Sequence, residues 1–259
     1  MNVLEFINVT KSYQDGNKEI EALKETNFKI EEGKFIAIIG PSGSGKSTFL
    51  TLAGGLQTPS KGQIIINGKD YTNLSEKERS KLRFNDIGFV LQASNLVPFL
   101  TAKQQLELVD RINKEKRQKL QDQKSLFKEL GIDHLENKLP KDLSGGERQR
   151  VLFAKILTQE SQVILLDEPT ASLDMRYEED LLKEVLKEKD KDKIIILVIH
   201  NLRTAIKYCS RLILLSEGNI VKDGTVEEVI TEENLNNVFR IKTKVYYNEI
   251  SKFLDFYII

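Results

Sequence analysis

The sequence lacks several features that would assign it to other classes of protein. Cysteine occurs once in 259 residues, at Cys209. One cysteine excludes a disulfide framework and a cysteine-based metal cluster within the chain, which favours a reducing compartment. Basic and acidic residues balance at 39 each, so the formal net charge is zero. A dedicated nucleic-acid-binding protein normally carries a basic excess, so we expect no nucleic-acid partner, although a local basic patch stays open.

Long apolar runs are also missing from the sequence. No window approaches about 18 uninterrupted apolar residues, so no membrane-spanning helix is predicted. Residues 1–10 combine Glu5 with alternating Val3, Phe6 and Val9. A signal peptide would instead show a basic region followed by an apolar stretch, so we expect a soluble, cytoplasmic protein. A chain of this length can bury a sizeable core, and we expect a core domain with a subdomain rather than one large domain.

A glycine-rich stretch joins the apolar run 35–39 to a helical pattern that begins near residue 46. It reads Gly40-Pro41-Ser42-Gly43-Ser44-Gly45-Lys46-Ser47-Thr48. Glycines at this spacing let successive backbone N–H groups curve around phosphates, and the following helix directs its positive end at the same oxygens. Lys46 would then reach the β- and γ-phosphates, and Ser47 would coordinate Mg²⁺. The alternative is a turn that only joins a strand to a helix, and the intact flanking patterns favour phosphate binding.

Apolar runs of strand length alternate with helical patterns, which predicts an α/β sheet. Strands are expected over residues 3–9, 25–30, 35–39, 63–66, 87–91, 163–166, 194–199 and 212–215. Residues from Thr101 to about 157 read as a helical insert. Helix starts are predicted by capping boxes at Ser75 with Glu78, Thr101 with Gln104, Ser144 with Glu147, and Thr225 with Glu228. Beyond Thr231 we expect a helix, a strand over 241–247, and an apolar end at 253–259. We favour an end that folds back on the core, and contact with a partner protein or with a second tail is the alternative.

Two acidic residues, Asp167 and Glu168, follow the apolar run 163–166. A continuous apolar run of this length is typical of a strand buried on both faces of a parallel sheet. We expect this strand to lie beside the one that feeds the glycine-rich loop, so that Asp167 can hold Mg²⁺ directly or through water. Glu168 points elsewhere and is the candidate to polarise an attacking water. An acidic strand end without chemistry is the alternative, which pairing with Lys46 disfavours.

The stretch Ser144-Gly145-Gly146-Glu147 puts two glycines in the first turn of a predicted helix. Each glycine costs roughly 1 kcal/mol relative to alanine in a helix, so we expect something to approach this backbone closely. A helix N-terminus preceded by serine can bind an anion, yet the chain already has such a site for the same phosphates. Two phosphate sites on one chain suggest that two chains face each other.

Taken together, these motifs resemble the ATP-binding cassette family, whose signature motif matches residues 143–147. The resemblance covers residues 3–230 and assigns further roles. It implies that Tyr13 stacks on adenine and that Gln92 links the γ-phosphate and the metal to a membrane partner. It also implies that Asp174 lies in the loop 171–174 that crosses a dimer interface and that His200 is a switch histidine. Phe6 and Phe28 could also offer the aromatic face. Lys155 stands where the family often has arginine, and residues 160–162 lack a common proline; neither position touches the chemistry.

The resemblance implies a P-loop nucleotide-binding domain with a helical signature subdomain and an antiparallel β subdomain. The core would span about 1–86 and 161–230, the helical subdomain about 87–160, and a C-terminal extension 231–259. ATP and Mg²⁺ are the implied ligands, with Glu168 and His200 catalytic and with Ser47, Gln92 and Asp167 at the metal. The implied assembly is a head-to-tail dimer that holds two ATP molecules. Each ATP lies between the loop Gly40–Thr48 of one subunit and Ser144, Gly145, Gly146 and Glu147 of the other.

Residues 86–92 and 95–101 resemble one branch of the family, the ATPases of macrolide and bacitracin efflux, lipoprotein release and, nearest, heme efflux. We therefore expect an ATPase that powers a membrane permease in export or extraction, bound to the inner face of the cell membrane through that permease. The tail after Thr231 resembles siderophore-uptake ATPases instead, so import stays an alternative. A soluble cassette ATPase that acts on DNA or the ribosome is a further alternative, but the chain has no long coiled-coil insert and no second cassette.

Overall fold

The computed structural model describes residues 2–90, 96–112, 123–171, 173–189 and 192–259. Its strands are β1 (Asn2–Asp15), β2 (Lys18–Glu31), β3 (Phe35–Ile39), β4 (Lys61–Ile66), β5 (Lys69–Asp70), β6 (Ile87–Val90), β7 (Val163–Asp167), β8 (Ile194–Val198), β9 (Arg211–Ser216), β10 (Asn219–Gly224), β11 (Thr243–Asn248) and β12 (Phe253–Ile258). Its helices are α1 (Lys46–Ala53), α2 (Glu76–Asp86), α3 (Ala102–Ile112), α4 (Gln123–Glu129), α5 (Gly145–Gln159), α6 (Met175–Lys189), α7 (Leu202–Tyr208), α8 (Val226–Val229) and α9 (Glu232–Phe239).

A mostly parallel sheet forms the centre of the molecule, in the order β10-β9-β3-β8-β7-β6. Only the pairing of β9 with β10 is antiparallel among these described strands. Every residue of β3, β7 and β8 is buried, as the continuous apolar runs predict. The predicted α/β sheet is therefore confirmed. β6 pairs with β7 in this sheet, so residues 87–90 lie in the core sheet although the helical subdomain is predicted from about residue 87.

The core has two layers because alternate residues of β3 point to opposite faces of the sheet. Phe35, Ala37 and Ile39 join one hydrophobic cluster, which also contains buried residues of α5, α6 and α7. Ile36 and Ile38 join the other, which contains residues of α1 and of the antiparallel sheet. That sheet has the order β2-β1-β4-β5, and it corresponds to the predicted antiparallel β subdomain.

The first hairpin is longer than the sequence predicts. The expected strands stop at Val9 and start at Glu25, whereas β1 and β2 continue as a paired ladder to Asp15 and from Lys18. The far half of this hairpin is polar and mostly exposed, so it lacks the apolar alternation by which a half-buried strand is recognised. Backbone hydrogen bonds hold it in the sheet, together with side-chain hydrogen bonds from Lys11 to the Thr58 carbonyl and from Tyr13 to Gln57.

The predicted capping boxes at Ser75, Ser144 and Thr225 are confirmed at the starts of α2, α5 and α8. The fourth is confirmed by reciprocal hydrogen bonds between Thr101 and Gln104. Among the described residues, no helix combines the length and apolar character needed to cross a bilayer.

The C-terminal extension forms α9 and a hairpin of β11 and β12. The predicted strand over 241–247 is confirmed as β11, and the apolar end forms its antiparallel partner. Val245, Leu254 and Phe256 pack against the main hydrophobic cluster. The apolar end therefore folds back on the core through Leu254 and Phe256, whereas Phe253, Tyr257, Ile258 and Ile259 are exposed.

Candidate active site

The glycine-rich loop connects β3 to α1 at the carboxyl edge of the parallel sheet. Gly40 has φ 152°, and a Cβ there would lie 2.1 Å from the carbonyl oxygen of Leu215. Gly45 has φ 101°, and a Cβ there would lie 2.5 Å from the carbonyl oxygen of Ala22. Only glycine fits either position, because any side chain would collide with backbone. Both close contacts hold the loop against neighbouring strands, so its backbone N–H groups are fixed in direction before a ligand arrives.

Lys46 lies at the start of α1 with its side chain folded over the loop. Its Nζ donates hydrogen bonds to the carbonyl oxygens of Gly40, at 2.9 Å, and Pro41, at 2.8 Å. Burial lowers the pKa of Lys46, and the nearby carboxylates of Glu168 and Asp167 act against that shift. The ammonium is thus a buried cation whose hydrogen-bond partners, within the part of the chain that the structure describes, are neutral carbonyl oxygens. A phosphate group would be a stronger partner, since hydrogen bonds between charged groups are roughly twice as strong as neutral ones.

Asp167 ends β7, and its side chain hydrogen-bonds with that of Ser47 at the start of α1. The prediction that β7 lies beside β3 is wrong, because β8 pairs with both strands and separates them. Burial raises the pKa of Asp167; a hydrogen bond with the Ser47 side chain opposes this rise, and the charge of Glu168 adds to it. Oδ1 of Asp167 is buried and has no hydrogen-bond partner among the described residues. Within the same residues, no group of three or more His, Cys, Asp or Glu side chains could hold a metal. Mg²⁺ commonly takes only one or two carboxylates and completes its shell with water and substrate phosphates. The Asp167 and Ser47 oxygens therefore fit this ion.

Glu168 and His200 are brought into direct contact. His200 Nε2 lies 2.6 Å from Glu168 Oε1, and the two side chains are 55% and 17% exposed respectively. Asp167 pairs with Val198 where β7 and β8 run in parallel, so the residues that follow both strands meet at one edge. Glu168 has φ 49° and donates its backbone N–H to Val198. A left-handed backbone is uncommon for a residue other than glycine, and this turn directs the Glu168 side chain differently from that of Asp167.

Tyr13 lies on the distal part of β1 and is 38% exposed. Its hydroxyl donates a hydrogen bond to Gln57 Oε1 at 2.5 Å, and the Lys11 ammonium lies 5.3 Å from the centre of its ring. The two other candidate aromatics, Phe6 and Phe28, are buried and pack on Phe49. Of these three aromatic residues, only Tyr13 could present a ring face to a ligand.

The signature stretch begins α5. Ser144 and Gly145 are exposed. The hydrogen bonds of Ser144 and Glu147 join the two residues to each other, and Glu147 lies 3.9 Å from His134. Hydrogen bonds to Ser144 lower the pKa of Glu147. None of these contacts, for the residues that the structure describes, reaches the phosphate loop, so the single chain leaves this helix start open to a partner.

Asp174 is exposed, and its Oδ1 accepts a hydrogen bond from the backbone of Tyr177 at 3.1 Å. This contact makes it the cap of α6, a structural role that sequence reasoning did not assign. Gln92 and Ser172 lie outside the described residues.

The turn at Gly218 contacts the phosphate loop, a contact that the sequence does not predict. Its backbone N–H donates to the carbonyl oxygen of Ser44 at 3.1 Å. The Glu217-Gly218-Asn219 sequence signals a turn, but nothing in it signals contact with the loop.

Comparisons with known proteins agree with this geometry. Residues 23–171 match the ABC transporter family. A Staphylococcus haemolyticus protein named as hemin import ATP-binding protein HrtA is 38% identical over 219 residues, covering 84% of this chain and 98% of that protein. The bacitracin export ATP-binding protein BceA of Halalkalibacterium halodurans is 36% identical over 221 residues, covering 85% of this chain and 87% of that protein.

A solved structure also matches the fold. It is the dimeric, post-hydrolysis state of the ATP-binding cassette MJ0796 of Methanocaldococcus jannaschii, bound to ADP and Pi. The TM-score is 0.79 at 34% identity, and the match covers 86% of this chain and 98% of that chain. The family match and the relatives each span most of this chain, and the phosphate loop precedes the acidic strand end in the expected order. The chain therefore belongs to the ABC transporter family and is an ATP-hydrolysing subunit of such a transporter.

Proposed function

We propose that Lys46, Ser47, Asp167, Glu168 and His200 form one half of the ATP-hydrolysing site. The observation that carries this proposal is the 2.6 Å contact between Glu168 and His200, beside the buried Lys46 ammonium. A carboxylate held by a second polar group close to a phosphate-binding loop can align and deprotonate a water. The other half of the site comes from a second copy of the chain.

Binding of the triphosphate is the first step. Lys46 exchanges its carbonyl partners, Gly40 and Pro41, for phosphate oxygens, while the N–H groups of residues 43–48 surround the phosphates. Because burial disfavours its ammonium, Lys46 gains more from an anionic partner than an exposed lysine would. The α1 dipole adds to the attraction, because its N-terminus points at the loop.

Ser47 and Asp167 are the residues that would hold Mg²⁺, with Gln92 as a further proposed ligand. When bound, the ion would neutralise charge on the β- and γ-phosphates. Support comes from Asp167 Oδ1, which is buried without a hydrogen-bond partner among the described residues. A buried carboxylate oxygen left unpaired is costly unless a ligand completes it.

Glu168 accepts the proton of the attacking water. His200 holds the carboxylate from one side and so fixes the direction in which it can receive that proton. The exposed Ser144 and Gly145 of a second chain close over the γ-phosphate, with Asp174 at the same interface and Tyr13 on the adenine. Hydrolysis then waits for two chains to meet, because each site combines the loop of one chain with the signature of the other.

Replacement of Tyr13 tests the adenine contact. Tyr13→Ala is expected to weaken ATP binding by about 5- to 150-fold, since stacking of a base on an aromatic ring contributes roughly 1–3 kcal/mol. Tyr13→Phe keeps the ring and loses only the hydrogen bond to Gln57, so its affinity should fall less than about tenfold. Calorimetric titration with ATP and with inorganic triphosphate measures both effects. Equal weakening for the two ligands, or the same loss in the exposed control Tyr247→Ala, would argue against stacking.

Replacement of Asp167 tests the buried carboxylate. A raised carboxyl pKa means that the folded protein binds protons more tightly than the unfolded chain, so stability falls as pH rises from the unfolded value into the folded one. At neutral pH, Asp167→Asn removes that ionised group. We expect the nucleotide-free variant to unfold at a higher temperature, by roughly 2–4 °C for each 1 kcal/mol gained, and to lose ATP hydrolysis.

Differential scanning calorimetry at pH 7 measures the shift, and Asp70→Asn is the control of opposite sign. Burial alone would raise the pKa of Asp70, but hydrogen bonds from Thr72 and Asn73 outweigh it, so the pKa is lowered. That variant should be less stable than the parent. A lower unfolding temperature for Asp167→Asn would contradict the assignment of Asp167 as a destabilised, metal-ready carboxylate.

We propose further that the chain powers a permease in export or extraction, at the inner face of the cell membrane. The proposal rests on the resemblance of residues 86–101 to efflux ATPases, and the similarity to a bacitracin export protein supports it. Import is the second candidate, because another relative is named for hemin import. Purification of the chain from detergent-solubilised membranes, with identification of the bound membrane subunit, decides between them. A many-helix importer permease with a lipoprotein receptor would refute export.

A further inference from the structure

The C-terminal hairpin is fixed to the first turn of α7, the helix that begins two residues after His200. Arg203 Nε donates to Asp255 Oδ1 at 2.8 Å, and Arg203 Nη2 donates to the carbonyl oxygen of Phe256 at 2.9 Å. The guanidinium carbon also lies 5.4 Å from the centre of the Phe256 ring. The Arg203 side chain thus joins the first turn of α7 to two residues that lie 52 and 53 positions further along the chain.

The hairpin end of this contact is itself held in place. Tyr246, on the neighbouring strand, donates its hydroxyl to Asp255 Oδ2 at 3.2 Å. Leu254 and Phe256 pack on the main hydrophobic cluster. An isolated exposed ion pair contributes little to stability, because both side chains must be ordered and water screens them. Here the carboxylate is ordered by a second partner and the strand is anchored by its apolar face, so Arg203 meets a fixed acceptor.

The α7 end of the contact leads to the candidate active site. Asn201 follows His200 and caps α7, since its Oδ1 accepts hydrogen bonds from the backbone N–H groups of Arg203, at 3.1 Å, and Thr204, at 3.4 Å. Thr204 Oγ1 also donates to Glu178 Oε1 on α6 at 3.1 Å. The backbone on the C-terminal side of His200 is therefore set by where the first turn of α7 lies.

The position of the backbone next to His200 matters because the His200 side chain is more than half exposed. Packing contacts therefore restrain only part of the ring. Its distance from Glu168 follows from the backbone on either side, which is β8 before it and α7 after it. A catalytic contact loosened by about 1 Å can lose much of its effect. A contact that restrains the first turn of α7 therefore helps to keep His200 Nε2 at 2.6 Å from Glu168 Oε1.

We propose that Arg203 is a positioning residue for ATP hydrolysis, which acts by tying the first turn of α7, and through it His200, to the C-terminal hairpin at Asp255 and Phe256. The inference rests on the proposed role of His200. It gives the extension after residue 231 a part in the reaction, although no residue of the extension belongs to the phosphate loop or the acidic strand end.

The experiment compares Arg203→Gln and Asp255→Asn with the parent, using the full chain. Each is expected to lower kcat for ATP hydrolysis by about tenfold, the effect of losing a hydrogen bond to a charged group, with the Kd for ATP unchanged. Lys244→Gln is the matched control. It breaks another ion pair of the same hairpin, to Glu232 on α9 at 2.9 Å, but does not touch α7, so kcat should stay at the parent value.

A double-mutant cycle separates positioning from general weakening. If Arg203 acts through His200, then Arg203→Gln will not lower further the residual single-turnover rate of His200→Ala. An additional tenfold loss in that background, equal losses in Lys244→Gln, or full activity in Arg203→Gln would overturn the inference. His200→Ala with unchanged hydrolysis would refute the proposed role of His200 itself, which is a separate failure.

Discussion

Glu168→Gln is expected to bind ATP with the parent affinity and to hydrolyse it at least about 100-fold more slowly, because a positioned general base contributes roughly 10²–10⁴-fold. The carboxamide keeps the shape of the side chain beside His200 but cannot accept a proton from water. With ATP and Mg²⁺ the variant should accumulate as a dimer with trapped nucleotide. Its mass by light scattering would then be twice the 29.6 kDa of one chain.

The control for this variant is Glu19→Gln, which changes an exposed glutamate on β2 and should leave both hydrolysis and mass unchanged. A Glu168→Gln protein that stays monomeric with ATP and hydrolyses it normally would refute both the assignment of the base and the shared site. A dimer that forms equally well without nucleotide would refute the view that ATP joins the two chains.

Lys46→Ala is expected to raise the Kd for ATP at least about tenfold, since hydrogen bonds to charged groups contribute roughly 1.5–3 kcal/mol. The loss should come from binding and not from unfolding. Burial lowers the pKa of Lys46, so the folded state holds this ammonium at a cost, and its removal should not lower the unfolding temperature appreciably. Calorimetric titration and thermal unfolding of the same preparation measure the two effects.

Lys34→Ala, an exposed lysine just before β3, is the control and should bind ATP as the parent does. Parent-like affinity in Lys46→Ala would remove Lys46 from the phosphate site. A large fall in unfolding temperature would show that Lys46 has a structural role instead.

Local signals in the sequence predict much of the fold and several site residues. The run 35–39, the glycines after it and the helical pattern from Lys46 fix β3, the loop and α1 with no long-range information. The same holds for Ser144 with Glu147, because a capping box satisfies backbone donors within four residues. Asp167 and Glu168 could be predicted at a strand end because a continuous apolar run indicates a strand buried on both faces.

Contacts between distant segments could not be predicted in this way. Tyr13 is distinguished from Phe6 and Phe28 only by burial, which depends on how the antiparallel sheet packs on α1. The pairing of Arg203 with Asp255 leaves no periodic signal, since the two residues are ordinary surface charges in sequence. The polar half of the first hairpin gives no strand signal in the sequence, because it lacks the apolar alternation of a half-buried strand.

The shared site is tested most directly by mixing two impaired variants at an ATP concentration well below the Kd of Lys46→Ala. These are Lys46→Ala, whose loop binds ATP weakly, and Ser144→Arg, which blocks the signature. In a mixed dimer, one site combines the intact loop of one chain with the intact signature of the other. With random pairing, half of the dimers are mixed and each has one intact site of two, so we predict hydrolysis at about a quarter of the parent rate.

Ser75→Arg is the matched control, because Ser75 caps α2 with the same box as Ser144 caps α5; this variant should be active alone. The decisive measurement is the ATPase rate of the 1:1 mixture against the two variants separately. A clear rise above both is the result that the shared site predicts. A mixture no more active than the mean of its parts would contradict it.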